Sequence, residues 1–298
     1  MNTRKEPGGL KPESNFEQAV ERHGQVILRL LDEGSVVVLT GAGLSTSSGI
    51  PDYRDRDGNW KHAKPIDHND FLRSGSARQR YWARSFFGWP TVGLANPGRG
   101  HHALAHLEGL DRIALIITQN VDGLHQKAGS RSVLELHGGL DRVICLTCRS
   151  GYPRALVQEW LSEANPGLAA ESARAGPDGD AQVAESLHAS FSVADCPSCG
   201  GVLKPDVVFF GDSVPKDRVA AGMEAIDAAR GLLVVGSSLM VWSGFRFVAH
   251  AHGRGKPVMA INLGKTRADH LLDAKVEQDC DEFLHLLQMR GALEPMAR

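Results

Sequence analysis

Val36-Val37-Val38-Leu39-Thr40-Gly41-Ala42-Gly43-Leu44-Ser45, running on to Pro51-Asp52-Tyr53-Arg54, is the stretch that decides the architecture of this 298-residue chain. Its apolar run shows no polar alternation, as expected of a strand covered on both faces in a parallel sheet. The run ends in Gly-Ala-Gly, and a polar, turn-rich segment follows. Gly41 and Gly43 are free to take positive φ and let backbone N–H groups approach an anion with no Cβ in the way. The dinucleotide-binding fingerprint has a third glycine three residues after the second, and Thr46 stands there instead. Alone, the segment reads equally as an anion cradle or as a plain turn after a strand.

Outward from it, four more apolar runs predict strands at residues 112–118, 206–210, 231–235 and 257–262, beside the first at 35–40. Helical spacing appears at residues 16–33 (Val20, Val26, Ile27, Leu30, Leu31, closed by Gly34), 101–107, 219–229 and 281–289. Strand–helix alternation predicts an α/β fold, a doubly wound Rossmann-like parallel sheet that binds ligands beyond the carboxyl ends of its strands. Polar residues fall at those ends: Gln119-Asn120, Gly236-Ser237-Ser238 and Asn262.

Residues 145–201 interrupt the alternation. Four of the five cysteines lie there as Cys145-x-x-Cys148 and Cys196-x-x-Cys199. Two such pairs supply four thiolates for one tetrahedral zinc ion, and four protein ligands leave no open position, so the ion is expected to be structural. The domain reading is a tail at 1–15, a Rossmann-like domain at 16–144 and 202–298, and a smaller zinc-ribbon/helical domain at 145–201. The first domain carries a helical insertion at about 55–97. The second carries a long surface excursion over 165–180, rich in Ala, Gly, Pro and acids.

The formal net charge of −2 forces no basic face, so neither nucleic acid nor a membrane surface is expected as a partner. The apolar runs are of strand length, far short of the roughly 20 residues of a membrane span. Residues 1–15 lack an apolar core and contain acids, so they resemble neither a secretory signal nor a transit peptide, and a cytoplasmic location is expected.

Two further constellations carry chemistry. Thr118-Gln119-Asn120-Val121-Asp122-Gly123-Leu124-His125 places amides and a carboxylate at a strand end, where they can orient a ribose and a carboxamide or simply cap an Asx-rich turn. Glu135-Leu136-His137-Gly138 offers a histidine whose ordinary pKa of about 6.5 suits a general base, although a lone histidine is often structural. Cys280 reads as a small buried residue.

In combination these motifs, with Lys204-Pro-Asp-Val-Val-Phe-Phe-Gly211-Asp212 and Gly236-Ser-Ser-Leu239, closely resemble the sirtuins, NAD-dependent protein-lysine deacylases, over about residues 16–290. Arg80-Tyr81-Trp82-Ala83-Arg84 and the long excursion resemble class II sirtuins. The resemblance implies that Gly41, Ala42 and Gly43 hold the pyrophosphate of NAD, with Ser45 and Thr46 nearby. Asp52, Tyr53 and Arg54 would belong to a mobile cofactor loop. Gln119, Asn120, Val121 and Asp122 would line the ribose and nicotinamide pocket, with Asn120, Asp122 and His137 catalytic and His137 the general base. Gly236, Ser237, Ser238, Asn262, Leu263, Gly264 and Cys280 would surround the adenosine half. Val208, Phe209 and Gly211 would pair with an acyl-lysine peptide as an added strand. Free lysine, nicotinamide and O-acyl-ADP-ribose would be the products, with NAD consumed and one zinc ion kept as structure.

The chain departs from the family pattern at Ser243-Gly244, where many sirtuins have Pro-Ala, and at Val121, where Ile is common. Tyr81 and Arg84 resemble the pair with which some sirtuins hold an acyl carboxylate, which implies a preference for acidic or bulky acyl groups; alternatively Arg84 pairs with a local acid. Competing functions are protein mono-ADP-ribosyl transfer at the same site and a non-catalytic NAD-sensing zinc-ribbon module. The intact His137, Asn120 and Asp122 stand against the second.

Overall fold

The computed structural model describes residues 23–61, 65–168, 178–181 and 183–291. The expected tail at 1–15, the first part of the helix expected at 16–33 and most of the 165–180 excursion therefore lie outside the described residues.

Six parallel strands form the main sheet: Val36–Thr40 (β1), Ile113–Thr118 (β2), Val133–Glu135 (β3), Leu232–Val235 (β7), Val258–Ile261 (β8) and Ala274–Val276 (β9). Their order is β3-β2-β1-β7-β8-β9, every neighbouring pair parallel. Alternate residues of β1, β7 and β8 enter opposite cores. Val36 and Val38 pack with the helices Gln25–Asp32 (α1), Arg99–Gly109 (α4) and Cys280–Gly291 (α10) through Leu31, Leu104 and Phe283. Val37 and Leu39 pack with Lys216–Ala228 (α8) and Trp242–Gly253 (α9) through Ile226 and Phe247. Each such side chain, fully buried, contributes about 1.5–3 kcal/mol. The chain reverses its winding between β1 and β7, so the crevice beyond Thr40 and Val235 is the topological switch point where such sheets bind ligands.

One strand expected in this sheet belongs elsewhere. The run at 206–210 was expected as a buried parallel strand; the strand there is Leu203–Val207 (β6), and it pairs antiparallel with Gly138–Cys145 (β4). Gly151–Pro153 (β5) completes a separate sheet of order β5-β4-β6. Pro205 has no N–H for a ladder, which suits a strand bonded on one side only. The strand stops before Val208, and Gly211 turns the chain with φ +81°.

Two helices, His68–Arg73 (α2) and Gly75–Leu94 (α3), fill the insertion near residue 55–97. Both are capped by side chains: Asp67 accepts from the Asn69 N–H and Ser74 from the Ala77 N–H. Trp82 and Phe86 of α3 join Val143, Leu203, Phe191 and Val157 in a third core, with Val157 on helix Arg154–Ala164 (α6). Arg154 lies buried in it, its guanidinium over the rings of Trp82 and Trp89 and donating to Ser85 Oγ at 3.1 Å. No described helix is long and apolar enough to cross a membrane.

Candidate active site at the switch point

The loops after β1 and β7 are laced together by backbone: the Gly41 N–H donates to Val235 O at 3.0 Å and the Gly43 N–H to Gly236 O at 2.9 Å. Gly41 is extended (φ −136°), and neither it nor Gly43 takes positive φ, contrary to the expectation from sequence. Their glycine identity answers to distance instead. A Cβ on Gly41 would lie 2.7 Å from Ser237 Cβ and 2.8 Å from Gly236 O; one on Gly43 would lie 2.9 Å from Gly236 O. Gly236 is the residue with positive φ, +59°. In place of the long helix of a standard dinucleotide fold, a 3-10 helix over Ala42–Ser48 follows and stops at Gly49, φ +81°.

A cleft of about 1000 Å³ opens at this point. It collects Gly41, Ala42, Gly43 and Thr46; Asp52, Tyr53 and Arg54; Gln119, Asn120 and Val121; His137; Tyr81; Val208, Phe209 and Gly211; Gly236, Ser237 and Ser238; Asn262, Leu263 and Cys280. Ser45 and Asp122 lie in a small side cavity that shares Asn120 with the cleft. Gly264 and Arg84 do not line it. Gly264 instead lies against the backbone just after Arg54, where a Cβ would meet Arg56 O at 2.3 Å.

The polar residues after β2 form one network. Asn120 Nδ2 donates to Gly41 O (3.1 Å) and Ser45 Oγ (3.0 Å), and Ser45 Oγ donates to Asp122 Oδ2 (2.7 Å). Asp122 Oδ1 accepts the Leu124 N–H at 3.0 Å, so the Asx turn and the site coexist in one carboxylate. Gln119 Nε2 reaches Ser237 Oγ at 2.7 Å. Beneath, Thr40 Oγ1 donates to Thr118 Oγ1 at 2.9 Å and lies 2.9 Å from His125 Nε2. The Thr40 proton is spent on Thr118, so His125 Nε2 carries a hydrogen and donates. Its buried Nδ1 then keeps a lone pair with no partner. Burial, with His101 nearby, pushes the His125 pKa down to about 3.

His137 follows β3 and lines the cleft. Its Nδ1 is 2.8 Å from the Gln119 carbonyl oxygen and its Nε2 is 2.9 Å from Ser243 Oγ. A carbonyl only accepts, so Nδ1 carries the hydrogen and Nε2 presents a lone pair. Burial is the main cause that lowers the His137 pKa; the Gln119 carbonyl opposes it, and the Arg218 and Arg246 charges add to it. The ring is therefore neutral and basic at Nε2 at neutral pH.

At the other end, Tyr81 packs edge-on against Phe71 and Trp82, and tilted against Phe209. Arg84 Nε pairs with Asp180 Oδ1 at 2.7 Å and donates to Ala181 O at 3.1 Å. This is the local-acid alternative, and the guanidinium is not presented to the cleft. Asp178 and Asp180 face the cleft in its stead. Burial, then the Asp178 charge, pushes the Asp180 pKa up to about 7. These acids, Ser243 and Arg246 were not picked as site residues from sequence. The acids sit in a low-complexity excursion, and Ser243 showed only as a departure from a family pattern.

The four cysteine sulfurs of the small domain lie within 4.8 Å of one another. Sγ of Cys145 is 3.6 Å from that of Cys199, and Sγ of Cys148 is 3.7 Å from that of Cys196. Thiolates about 2.3 Å from a tetrahedral zinc would stand about 3.8 Å apart, so the donor set fits the ion. The Tyr152 hydroxyl, 3.2 Å from Cys196 Sγ, is placed to support that ligand.

A model of the Sir2 family matches residues 41–243. An NAD-dependent protein deacetylase of Xanthomonas campestris pv. campestris (strain 8004) is 52% identical over 273 residues, 92% of this chain and 90% of that one. An NAD-dependent protein deacetylase 2 of Bradyrhizobium diazoefficiens is 52% identical over 250 residues, 84% of this chain and 92% of its own. Among solved structures, one described as giving the structural basis for the mechanism and regulation of Sir2 enzymes has a TM-score of 0.72 at 29% identity, covering 92% of this chain and 100% of that one. Another, described as Sir2 with a p53 peptide and NAD+, has a TM-score of 0.70 at 28% identity, covering 91% and 99%.

Proposed function

The chain belongs to the Sir2 family, and from that premise we propose that it is an NAD-dependent protein deacetylase whose switch-point cleft takes NAD together with an acyl-lysine peptide. The observation that carries this reading is the placement of His137 Nε2, a lone pair in the same cleft as the Gly41–Gly43 and Gly236 cradle. The cleft has room for NAD at this pair of loops: Gly41 and Gly43 donate their N–H groups to Val235 and Gly236 and, lacking a Cβ, close on Gly236 and Ser237, while Ala42 and Thr46 line the cleft beside them. Bound there, NAD would supply the ribose that loses nicotinamide and accepts the acyl group.

The residues divide the work. Asn120 and Asp122, tied through Ser45, would present fixed dipoles and a negative charge to a ribose that develops positive charge. His137 would take the proton of the ribose hydroxyl at Nε2, its tautomer held by the Gln119 carbonyl. Val208, Phe209 and Gly211 lie along the cleft where a peptide would add as a strand. The four cysteines would hold one zinc ion, which braces β4 and β6 and supplies no open coordination site. Four reduced thiols suit the cytoplasm.

The acyl preference we propose is for neutral chains. The acidic-acyl expectation rested on a free Arg84, and its guanidinium is occupied by Asp180 while two carboxyls look into the cleft. His137→Ala, assayed with an acetyl-lysine peptide and NAD, tests the central reading. Production of O-acetyl-ADP-ribose is expected to fall about 100-fold or more with NAD still bound; unchanged turnover would remove His137 from the reaction. Transfer of ADP-ribose onto protein, seen by mass, would favour the transferase reading instead.

A further inference from the structure

We infer that Ser243 is a positioning residue for the general base, a role that rests on His137 being that base. Its hydroxyl lies 2.9 Å from His137 Nε2, the nitrogen that must take a proton. The opposite nitrogen, Nδ1, is fixed on the Gln119 carbonyl at 2.8 Å. Two hydrogen bonds at opposite ends of an imidazole fix its plane as well as its tautomer. The ring turns about its Cβ–Cγ bond, and hydrogen bonds at both nitrogens restrict that turn more than either does alone.

The chemistry of a hydroxyl suits this place. It donates to the lone pair of the neutral ring and, after rotation, accepts from Nε2–H once the ring is protonated. A ribose hydroxyl arriving at Nε2 displaces the Ser243 hydrogen, so Ser243 sets the orientation of the ring before the ribose binds and accepts from Nε2–H after the proton has passed. A side chain without a hydroxyl at this position would offer neither role.

The neighbouring residue supports the same arrangement. Gly244 lies in the first turn of α9 against the Gln119 side chain, where a Cβ would stand 2.4 Å from Oε1. Gln119 is also the residue whose carbonyl holds Nδ1. The first turn of α9 therefore touches both anchors of the ring: Ser243 bonds one nitrogen, and Gly244 lets the helix close on the residue that bonds the other. Ser243 and Gly244 act as a pair, set by the start of one helix.

The role is separable from folding by step. Breaking the nicotinamide bond needs no general base, whereas passing the acyl group to the ribose hydroxyl does. Ser243→Ala and Ser243→Thr would be assayed for deacetylation of an acetyl-lysine peptide and, separately, for exchange of labelled nicotinamide into NAD. Ser243→Ala is expected to lower deacetylation about tenfold and leave exchange within about twofold, and Ser243→Thr to recover most of the loss. Deacetylation by Ser243→Ala at the wild-type rate would overturn the inference, as would an equal fall in both reactions with no recovery by threonine. His137→Ala distinguishes the two levels: full deacetylation there defeats the base assignment, while a large loss there with none in Ser243→Ala defeats only the role of Ser243.

Discussion

Replacing His125 by glutamine should remove a large part of the acid sensitivity of this fold. His125 is fully buried, donates from Nε2 to Thr40 and leaves Nδ1 unpartnered, so a second proton would put an unsatisfied N–H and a charge in the core beside His101. Its pKa falls to about 3, against about 6.5 in an unfolded chain. The unfolded state then binds more protons than the folded state between those values. Stability from the neutral ring is complete above about pH 6.5 and is lost as pH falls toward 3. At about 1.36 kcal/mol per pKa unit, the whole interval is worth about 5 kcal/mol, and the part between about pH 6 and pH 4.5 about 2 kcal/mol. Urea unfolding at several pH values in that range, for the wild type and His125→Gln, reads this directly. The stability difference between the two proteins should narrow by about 2 kcal/mol as pH falls from about 6 to 4.5. Parallel stability curves over that range would show that His125 is not held neutral, and the tautomer argument would fail with it.

A panel of acetyl, butyryl, succinyl and glutaryl lysine peptides should show neutral chains cleaved at least about tenfold faster than acidic ones, with Asp180→Asn narrowing that ratio by removing the partner that occupies Arg84; faster succinyl cleavage by the wild type that is lost in Arg84→Met would restore the carboxylate-anchor reading. Metal analysis should find one zinc per chain, and Cys199→Ser should lower both zinc content and melting temperature, because the metal–thiolate bonds contribute to folding of the β5-β4-β6 sheet. A zinc-free protein with unaltered melting temperature would contradict a structural ion.

How much of this was legible in the sequence depended on how far each signal reached along the chain. β1, β2, β7 and β8 announced themselves because strands buried on both faces need unbroken apolar runs. β3 and β9 are three residues each, too short for any run to show, and take their places by pairing with β2 and β8. The Asp206–Phe210 run carried the same apolar signal as a core strand, but β6 ends at Val207 and the rest serves the cleft wall, so composition was right and partner wrong. The cysteine pairs were readable because thiolate spacing is local, although 47 residues separate them.

The site divided in the same way. Gly41 and Gly43 were legible as a glycine pair, yet the reason for them was not, since the crowding comes from Gly236 and Ser237, nearly 200 residues on. Arg84 was legible as a charge near the acyl pocket, but its partner lies in an excursion whose composition reads as surface, and only the fold brings Asp180 to 2.7 Å from it. Ser243 shows the opposite case. Sequence marked it as a mismatch bearing on the grip of the peptide; the structure puts its hydroxyl 2.9 Å from His137 Nε2, the nitrogen proposed to take the proton. A departure from a family pattern is therefore informative in proportion to what it touches. Val121, the milder departure, keeps a branched apolar side chain along the cleft, whereas Ser243 puts a donor on the lone pair that the proposed reaction uses.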